Sequence, residues 1–315
     1  NSISMKEIYL LLKVHLKEDY NPRLYLYFLS FLTVTISLNY YFDFEDGILD
    51  SYYTQPISFI TYTLFYMFAY YGIAIPQLFL NNKSAVLKSW RYWARSSFFI
   101  SIVGFAAYFY FHRKMVFESL TAYENNFVLD IVRQLNCWVT IIFPLLIFWL
   151  VFDKNKRHFY GFNLKNANLK AYFQMLLIMF PLVFAVSFLS DFQDNYPIMK
   201  AWDLNSPFGW NNSIYYLIFE PLYGISFLSV ELVFRGALVI GMVKLLGKEA
   251  VLPMVSMYAF LHFGKPLGET IGSVFGGYIL GVIALKKEHI FGGFIIHVGV
   301  AYLMEITAFW QHYYN

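Results

Sequence analysis

The chain has 315 residues, of which 59% are hydrophobic and only 14% are charged, and its formal net charge is +3. Soluble domains carry about one quarter charged residues, so this composition excludes an ordinary soluble protein and indicates an integral membrane protein. The small net charge argues against a nucleic-acid partner. Cys137 is the single cysteine, which excludes an internal disulfide, a thiolate zinc site and an iron–sulfur cluster.

The apolar runs of the sequence predict an all-α polytopic membrane protein with about nine transmembrane helices. The expected spans lie near Leu24–Phe42, Ile57–Leu80, Ser97–Phe111, Val128–Phe152, Ala171–Leu189, Ile214–Val243, Ala250–Phe263, Leu267–Leu285 and Ile290–Trp310. Residues 1–20 are amphipathic and charged and lack the pattern of a cleavable signal peptide, and with the next three residues they form the segment 1–23. Their mixture of charged and apolar residues predicts either a cytoplasmic amphipathic helix on the membrane surface or a simple lead-in to the first span.

Lysine and arginine in the loops predict the orientation of the chain. With the N-terminus inside, seventeen of the 23 basic residues fall in inner segments and four in outer segments. The positive-inside rule therefore predicts an N-in, C-out protein of a bacterial inner (cytoplasmic) membrane. The first outer loop, Asp43–Gln55, has four acidic residues and no Lys or Arg.

The absence of repeats and linkers predicts one membrane domain in three segments. These are a cytoplasmic amphipathic segment over residues 1–23, N-terminal transmembrane helices over 24–160, and a C-terminal transmembrane core over 161–315.

Ionisable residues inside apolar spans are costly in lipid and are therefore candidate functional residues. In the C-terminal half these are Glu220, Glu231, Arg235, His262, Glu269, His297 and Glu305. Glu231 and Arg235 are four residues apart and share a helix face, which fits either a structural salt bridge or a catalytic glutamate with its partner. His262 and His297 each fit either a packed histidine or a catalytic one.

Two histidines and a glutamate on three separate apolar spans favour a buried acid–base or metal site over three unrelated structural residues. A carboxylate in a cavity of low dielectric can take a proton from water, and an imidazole can orient that water or stabilise an oxyanion. The same three side chains could instead hold a divalent metal such as zinc in a three-ligand site. The sequence leaves both chemistries open.

Three short motifs in this half of the chain share an order and a spacing. They are Glu231 with Arg235, Tyr258 with His262, and His297, accompanied by Phe-Arg-Gly at 234–236 and Phe-Gly-Gly-Tyr-Ile-Leu-Gly at 275–281. Together they resemble the CPBP (Abi) family of intramembrane proteases, which includes the CAAX prenyl endopeptidases and bacteriocin-processing enzymes. That family carries Glu-Glu-x-x-x-Arg, Phe-x-x-x-His and His-x-x-x-Asn/Asp on separate transmembrane helices. The resemblance covers roughly residues 160–311 and implies a CPBP-type helical core there.

Two working positions of the family carry other residues in this chain. Val230 stands where the family has the glutamate that activates water, and Ala301 stands where it has the Asn or Asp that assists the oxyanion. Neighbouring side chains on a helix point about 100° apart, so Glu231 needs a helix rotation or a local bulge to take over the missing role. Glu269 and Glu305 are further candidates for the missing carboxylate.

The resemblance implies a CPBP-type intramembrane endopeptidase that acts on a membrane-embedded or membrane-proximal peptide or protein. Glu231 would be the base, His262 and His297 would orient water and stabilise the oxyanion, and Arg235 and Tyr258 would support them. No cofactor is required for this mechanism, although a zinc-type divalent metal stays open. The rival hypothesis is a catalytically inactive pseudoprotease that binds or assembles another membrane protein. A proton-relay transporter is a third hypothesis, without the inverted repeat typical of many such folds.

Overall fold

The computed structural model describes residues 4–53, 55–110, 115, 117–154, 158–163 and 170–314. All regular secondary structure in these ranges is helical. Two sets of predictions fall outside them: the end of the third span at Phe111, and five of the basic residues that predict the orientation. Those five are Arg113, Lys114, Lys156, Arg157 and Lys165.

The main helices follow one another along the whole described chain. They are α1 (Met5–Asp19), α2 (Pro22–Phe42), α3 (Ile57–Leu80), α4 (Trp90–Tyr108), α5 (Ala122–Asp153), α6 (Lys170–Val186), α7 (Ser190–Asn195), α8 (Asn212–Glu231), α9 (Val243–Leu246), α10 (Val251–Phe260), α11 (Leu267–Lys287) and α12 (Phe291–Tyr314). Two parts of α5 are π-helical, and α8 continues directly into a π-helix over Leu232–Ile240.

Six helical stretches of the described chain are long and apolar enough to cross a membrane, which supports the predicted all-α membrane class. They are Pro22–Phe42, Ile57–Leu80, Ala122–Asp153, Asn212–Phe260, Leu267–Lys287 and Phe291–Tyr314. Helix α4 does not reach this combination of length and hydropathy, and α6 has only 17 residues. The predicted sixth span and all but the last three residues of the predicted seventh lie in the single stretch Asn212–Phe260, so nine crossings stay a prediction.

Several helices begin at side chains that satisfy the free backbone amides of a first turn. The side chain of Asn21 accepts hydrogen bonds from the first amides of α2, and Pro22 occupies the first position, where no amide hydrogen is needed. At the start of α5, Thr121 and Glu124 form a reciprocal capping box. These local signals separate α1 from α2 and set where the long α5 begins.

The centre of the molecule is the short helix α10, all ten residues of which are buried. The π-helical residues Leu232–Val239 beside it are buried as well. Side chains from α2, α3 and α4 belong to the same apolar cluster, so the N-terminal and C-terminal halves share one core. Ser256 of α10 donates a hydrogen bond to the backbone carbonyl of Ala69 on α3 (2.8 Å). Because protein surrounds α10 on all sides, it does not need the length of a lipid-facing span.

Helix α1 packs on the C-terminal end of α11 and is a distinct helix rather than a lead-in to the first span. Ile8 and His15 are buried on its inner side. At the edge of this contact, Lys287 pairs with Glu7 at 2.5 Å between Nζ and Oε1. The apolar side of the amphipathic helix α1 is therefore covered by protein.

Candidate active site

Glu231 is the last residue of α8 before the backbone widens into the π-helix. A π-turn changes the angular step between residues, and such turns are frequent at functional sites. Here Glu231 faces His297 on α12, whereas its neighbour Val230 lines a cavity on another face of the same helix. The two adjacent positions thus serve different sides of the helix, as their angular separation predicts.

Glu231 is completely buried between two basic side chains. Its Oε1 atom lies 3.0 Å from Nη1 of Arg235 and 3.4 Å from Nδ1 of His297. Both Glu231 and Arg235 are at most 1% exposed, and no N–H group of Arg235 is aligned on a hydrogen-bond acceptor among the described residues. A buried carboxylate needs a compensating cation, and Arg235 supplies it. The salt bridge that the helical spacing predicts therefore occurs together with a contact to His297.

A glycine lets α12 approach this carboxylate. A Cβ atom added at Gly293 would overlap with Oε2 of Glu231, so a larger residue could not occupy the position without displacing the carboxylate. Gly293 thereby gives Glu231 its space beside His297.

Tyr258 of α10 connects the parts of the site. Its hydroxyl lies 3.4 Å from Nε2 of His297, and its ring lies 4.3 Å below the guanidinium carbon of Arg235 in a cation–π contact. The ring of Phe227 packs on the His297 ring with 4.3 Å between centroids. His297 is thus held between a carboxylate, a phenol and an aromatic face.

His262 lies in the turn that follows α10 and is fixed by the backbone. Its Nδ1 atom is 2.7 Å from the carbonyl oxygen of Tyr258. Because a carbonyl only accepts, Nδ1 must carry the proton, and Nε2 of the neutral ring is left as an acceptor. The hydroxyl of Thr270 donates to the carbonyl of His262 and ties this turn to α11.

The Nε2 atom of His262 faces a second carboxylate. It lies 4.0 Å from Oε1 of Glu269, and the hydroxyl of Tyr196 donates to Oε2 of Glu269 at 2.7 Å. The side chains of His262 and Glu269 are 11% and 22% exposed, whereas that of Glu231 is 0% exposed. Of the two carboxylates, Glu269 is therefore the one that solvent can reach.

The structure does not bring the three predicted side chains into a zinc-type arrangement. Three ligands of one zinc ion lie about 2 Å from a common point, so their donor atoms must be close together. In the described part of the chain, the side chains whose donor atoms all lie within 4.8 Å of one another are Glu45, Asp46 and Asp50. Glu231, His262 and His297 do not form such a group, so no step of the mechanism below uses a metal.

The remaining predicted residues lie apart from this cluster. Both carboxylate oxygens of Glu305 accept from the backbone amide of Ile198, at 3.0 and 3.2 Å, so Glu305 anchors the segment before α8. Ala301 is buried one turn beyond His297 on α12. Of the two candidate replacements for the missing carboxylate, Glu269 contacts a site histidine and Glu305 has a backbone partner.

Two contacts of the site have no signal in the sequence. Tyr196 reaches Glu269 from the segment after α7, and Phe227 covers His297 from one turn before Glu231. The chain has 27 tyrosines and 35 phenylalanines, so residue type alone does not single out either one. Only the packing of α8, α11 and α12 brings them to the histidines.

In comparisons with known proteins, no family model, no curated protein and no solved structure matches the chain. The interpretation of the site therefore depends on its own distances, burial and charges.

Proposed function

We propose that this protein is an intramembrane endopeptidase of the CPBP type, which hydrolyses peptide bonds at or within the membrane. One observation carries the proposal: two carboxylate–imidazole pairs, Glu231 with His297 and Glu269 with His262, meet at Tyr258 in an otherwise apolar helical core. Ionisable groups are expensive at such depth and are kept there mainly for function.

The two pairs suit different parts of a hydrolysis. Glu269 is accessible and lies beside the free Nε2 atom of His262, so these two groups can hold a water molecule and accept its proton. The hydroxide then adds to the peptide carbonyl carbon. As the C–N bond breaks, the proton passes to the leaving amine, and the base is restored.

The negative charge on the carbonyl oxygen needs donors during this step. The Tyr258 hydroxyl can donate to it, and the adjacent Nε2 of His297 can donate when the ring is in its doubly protonated form. In this assignment Glu231 is a positioning residue, because Arg235 compensates its charge and Oε1 faces Nδ1 of His297. The role of base, which the family resemblance implies for Glu231, moves in this proposal to Glu269 and His262.

The test is peptide cleavage by the purified protein in proteoliposomes, measured with a quenched fluorescent peptide library. We expect His262→Ala and His297→Ala to lower turnover by about 10²-fold or more. His312→Ala is the matched control, since His312 is exposed on α12 away from the site and stacks on Trp202. Absence of cleavage by the wild type, or equal turnover in all three variants, would overturn the proposal.

A second candidate is a pseudoprotease that binds or assembles another membrane protein. The complete burial of Glu231 against Arg235, and a valine at position 230 where the family has its water-activating glutamate, favour this candidate. Its distinguishing result is a stoichiometric membrane partner that co-purifies with the chain, together with no cleavage. In that case His262→Ala and His297→Ala would leave the partner bound.

The proposed location is a bacterial inner membrane with the N-terminus inside and the C-terminus outside. The loop charges support this orientation. A reporter that is active only outside the cytoplasm, fused after the last residue, tests it. Activity of the fusion agrees with an odd number of crossings such as nine, and inactivity agrees with six.

A further inference from the structure

A cavity of about 350 Å³ lies on the side of α8 that Val230 faces. Apolar side chains of the π-helix and of α4 form its floor, and Glu45, Asp50 and Tyr66 lie on its walls. The carboxylates come from the turn that follows α2, over Glu45–Leu49 and Asp50–Tyr52. The cavity therefore has an apolar base and acidic walls, and it is separate from the two histidines described above.

Three carboxylates converge at this turn. Their donor atoms on Glu45, Asp46 and Asp50 all lie within 4.8 Å of one another. The segment 43–55 contains no Lys or Arg, and the ion pairs of the described residues include none of the three. Carboxylates at this spacing repel one another when they are charged, and a bound cation would remove that cost.

Tyrosine hydroxyls point to a ligand independently of the acidic cluster. Tyr66 is only 4% exposed and lines the cavity, and none of the hydrogen bonds of the described residues includes its hydroxyl. The hydroxyl of this largely buried side chain is therefore left to a ligand or water in the cavity. Tyr62, one turn away, donates its hydroxyl to Asp50 and holds that carboxylate at the cavity.

The turn is held in place by contacts with the segment after α10. The amide of Glu45 donates to Oδ1 of Asn39, and the amide group of Asn39 donates to the carbonyl of Phe263, both at 3.1 Å. The carboxylate of Glu45 lies directly on Gly264, where an added Cβ atom would overlap with Oε2. These contacts fix the carboxylates relative to the cavity.

We infer that one divalent cation of the Ca²⁺ type binds at the acidic edge of this cavity through Glu45, Asp46 and Asp50, with the Tyr66 hydroxyl on the cavity side. All the donors are oxygen atoms, which hard cations prefer. Oxygens on opposite sides of Ca²⁺ lie about 4.6–5.2 Å apart, given Ca–O distances of about 2.3–2.6 Å. The donor oxygens of the three carboxylates lie within 4.8 Å of one another, which is close enough to share one such ion. A site with three carboxylates on a surface turn predicts a Kd of about 0.1–1 mM.

The experiment uses Tb³⁺ as the probe and the intact protein in detergent micelles. Tyrosines at the cavity should sensitise the luminescence of bound Tb³⁺, and Ca²⁺ should displace it. We expect one saturable site per chain in the wild type, and affinities about tenfold or more weaker in Glu45→Gln and Asp50→Asn. Asp194→Asn, at an exposed carboxylate on α7, is the control and should bind like the wild type.

Gly264→Ala is the second variant, because it displaces the Glu45 carboxylate without removing a charge. We expect it to weaken Tb³⁺ binding while the melting temperature without cation stays within the range of the control. Binding that does not saturate, that Ca²⁺ does not displace, or that is equal in Glu45→Gln, Asp50→Asn and wild type would overturn the inference.

Discussion

The two carboxylate–imidazole pairs of this protein have the same chemical groups and opposite surroundings. Glu231 is 0% exposed, lies against Arg235 and faces His297. Gly293, one turn before His297, leaves the space for its carboxylate. Glu269 is 22% exposed, accepts a hydrogen bond from the hydroxyl of Tyr196 and lies near the His262 ring. Full burial with a cation fixes a charge in one place, whereas partial exposure leaves a carboxylate that can exchange protons with water.

The largest effect should come from removing the cation of the buried pair. Arg235→Met leaves Glu231 without compensation, and such a loss costs about 3–5 kcal/mol of unfolding free energy. The double variant Glu231→Gln with Arg235→Met removes both charges and should recover most of that stability. Denaturant unfolding in detergent micelles measures both. Equal stability of the single and double variants would show that the charge on Glu231 is not buried as described.

A methyl group should disturb the same pair from the side of α12. Gly293→Ala overlaps with the Glu231 carboxylate, and overpacking of this kind costs about 1–3 kcal/mol. Gly276→Ala on α11 is the matched control, because nothing lies within 4 Å of its added Cβ atom. The control should be neutral or slightly stabilising, since alanine has the better helix propensity. If Gly293→Ala and Gly276→Ala have the same melting temperature, α12 does not approach Glu231 closely.

A third buried imidazole extends the comparison to a histidine without a carboxylate partner. His15 is 0% exposed between α1 and α11, and neither ring nitrogen has a hydrogen-bond partner among the described residues. Burial lowers the pKa of His15 from 6.5 to about 4. The charged groups around it are Lys286, Glu18, Lys248 and Glu249.

The sign of the resulting pH effect follows from proton binding. Between pH 6.5 and about 4 the unfolded chain binds more protons at His15 than the folded chain does. Stability is therefore complete above pH 6.5 and falls as the pH drops toward 4. We expect the wild type to lose more melting temperature from pH 7.5 to pH 5 than His15→Leu loses. The same loss in both proteins would contradict burial of a neutral His15.

The smallest effect should come from an ion pair at the surface. Lys287 and Glu7 are 2.5 Å apart but remain 27% and 37% exposed, so solvent screens their attraction. We expect Glu7→Gln and the wild type to have the same melting temperature, within the error of the measurement, in 150 mM salt. A clear drop would mean that this contact, rather than apolar burial of Ile8, docks α1.

The sequence predicts the long helices well because their apolar runs exceed what a soluble core needs. Helices α2, α3, α5, α11 and α12 all contain or closely match a predicted span. The ten-residue α10 is harder to anticipate, since its burial depends on neighbours that are distant in the chain. The π-helix after Glu231 has no sequence signature either, although the need for a local bulge follows from the adjacent Val230.

The candidate site shows the same division between local and long-range information. Pairing of Glu231 with Arg235 follows from their helical spacing. The contact of Glu269 with His262 does not, because it depends on how the turn through Pro266 folds α11 back toward α10. Tyr196 comes from a separate segment between α7 and α8. Motifs therefore locate the histidines, and packing decides which carboxylate each one meets.

The most direct test of this account compares Glu269→Gln with Glu231→Gln in one peptide-cleavage and melting experiment. The account predicts that Glu269→Gln loses about 10²-fold or more of turnover at an unchanged melting temperature. It predicts that Glu231→Gln lowers the melting temperature, because Arg235 is left as a buried cation without its partner. A fully active Glu269→Gln protein beside a stable but inactive Glu231→Gln protein would contradict it and return the role of base to Glu231.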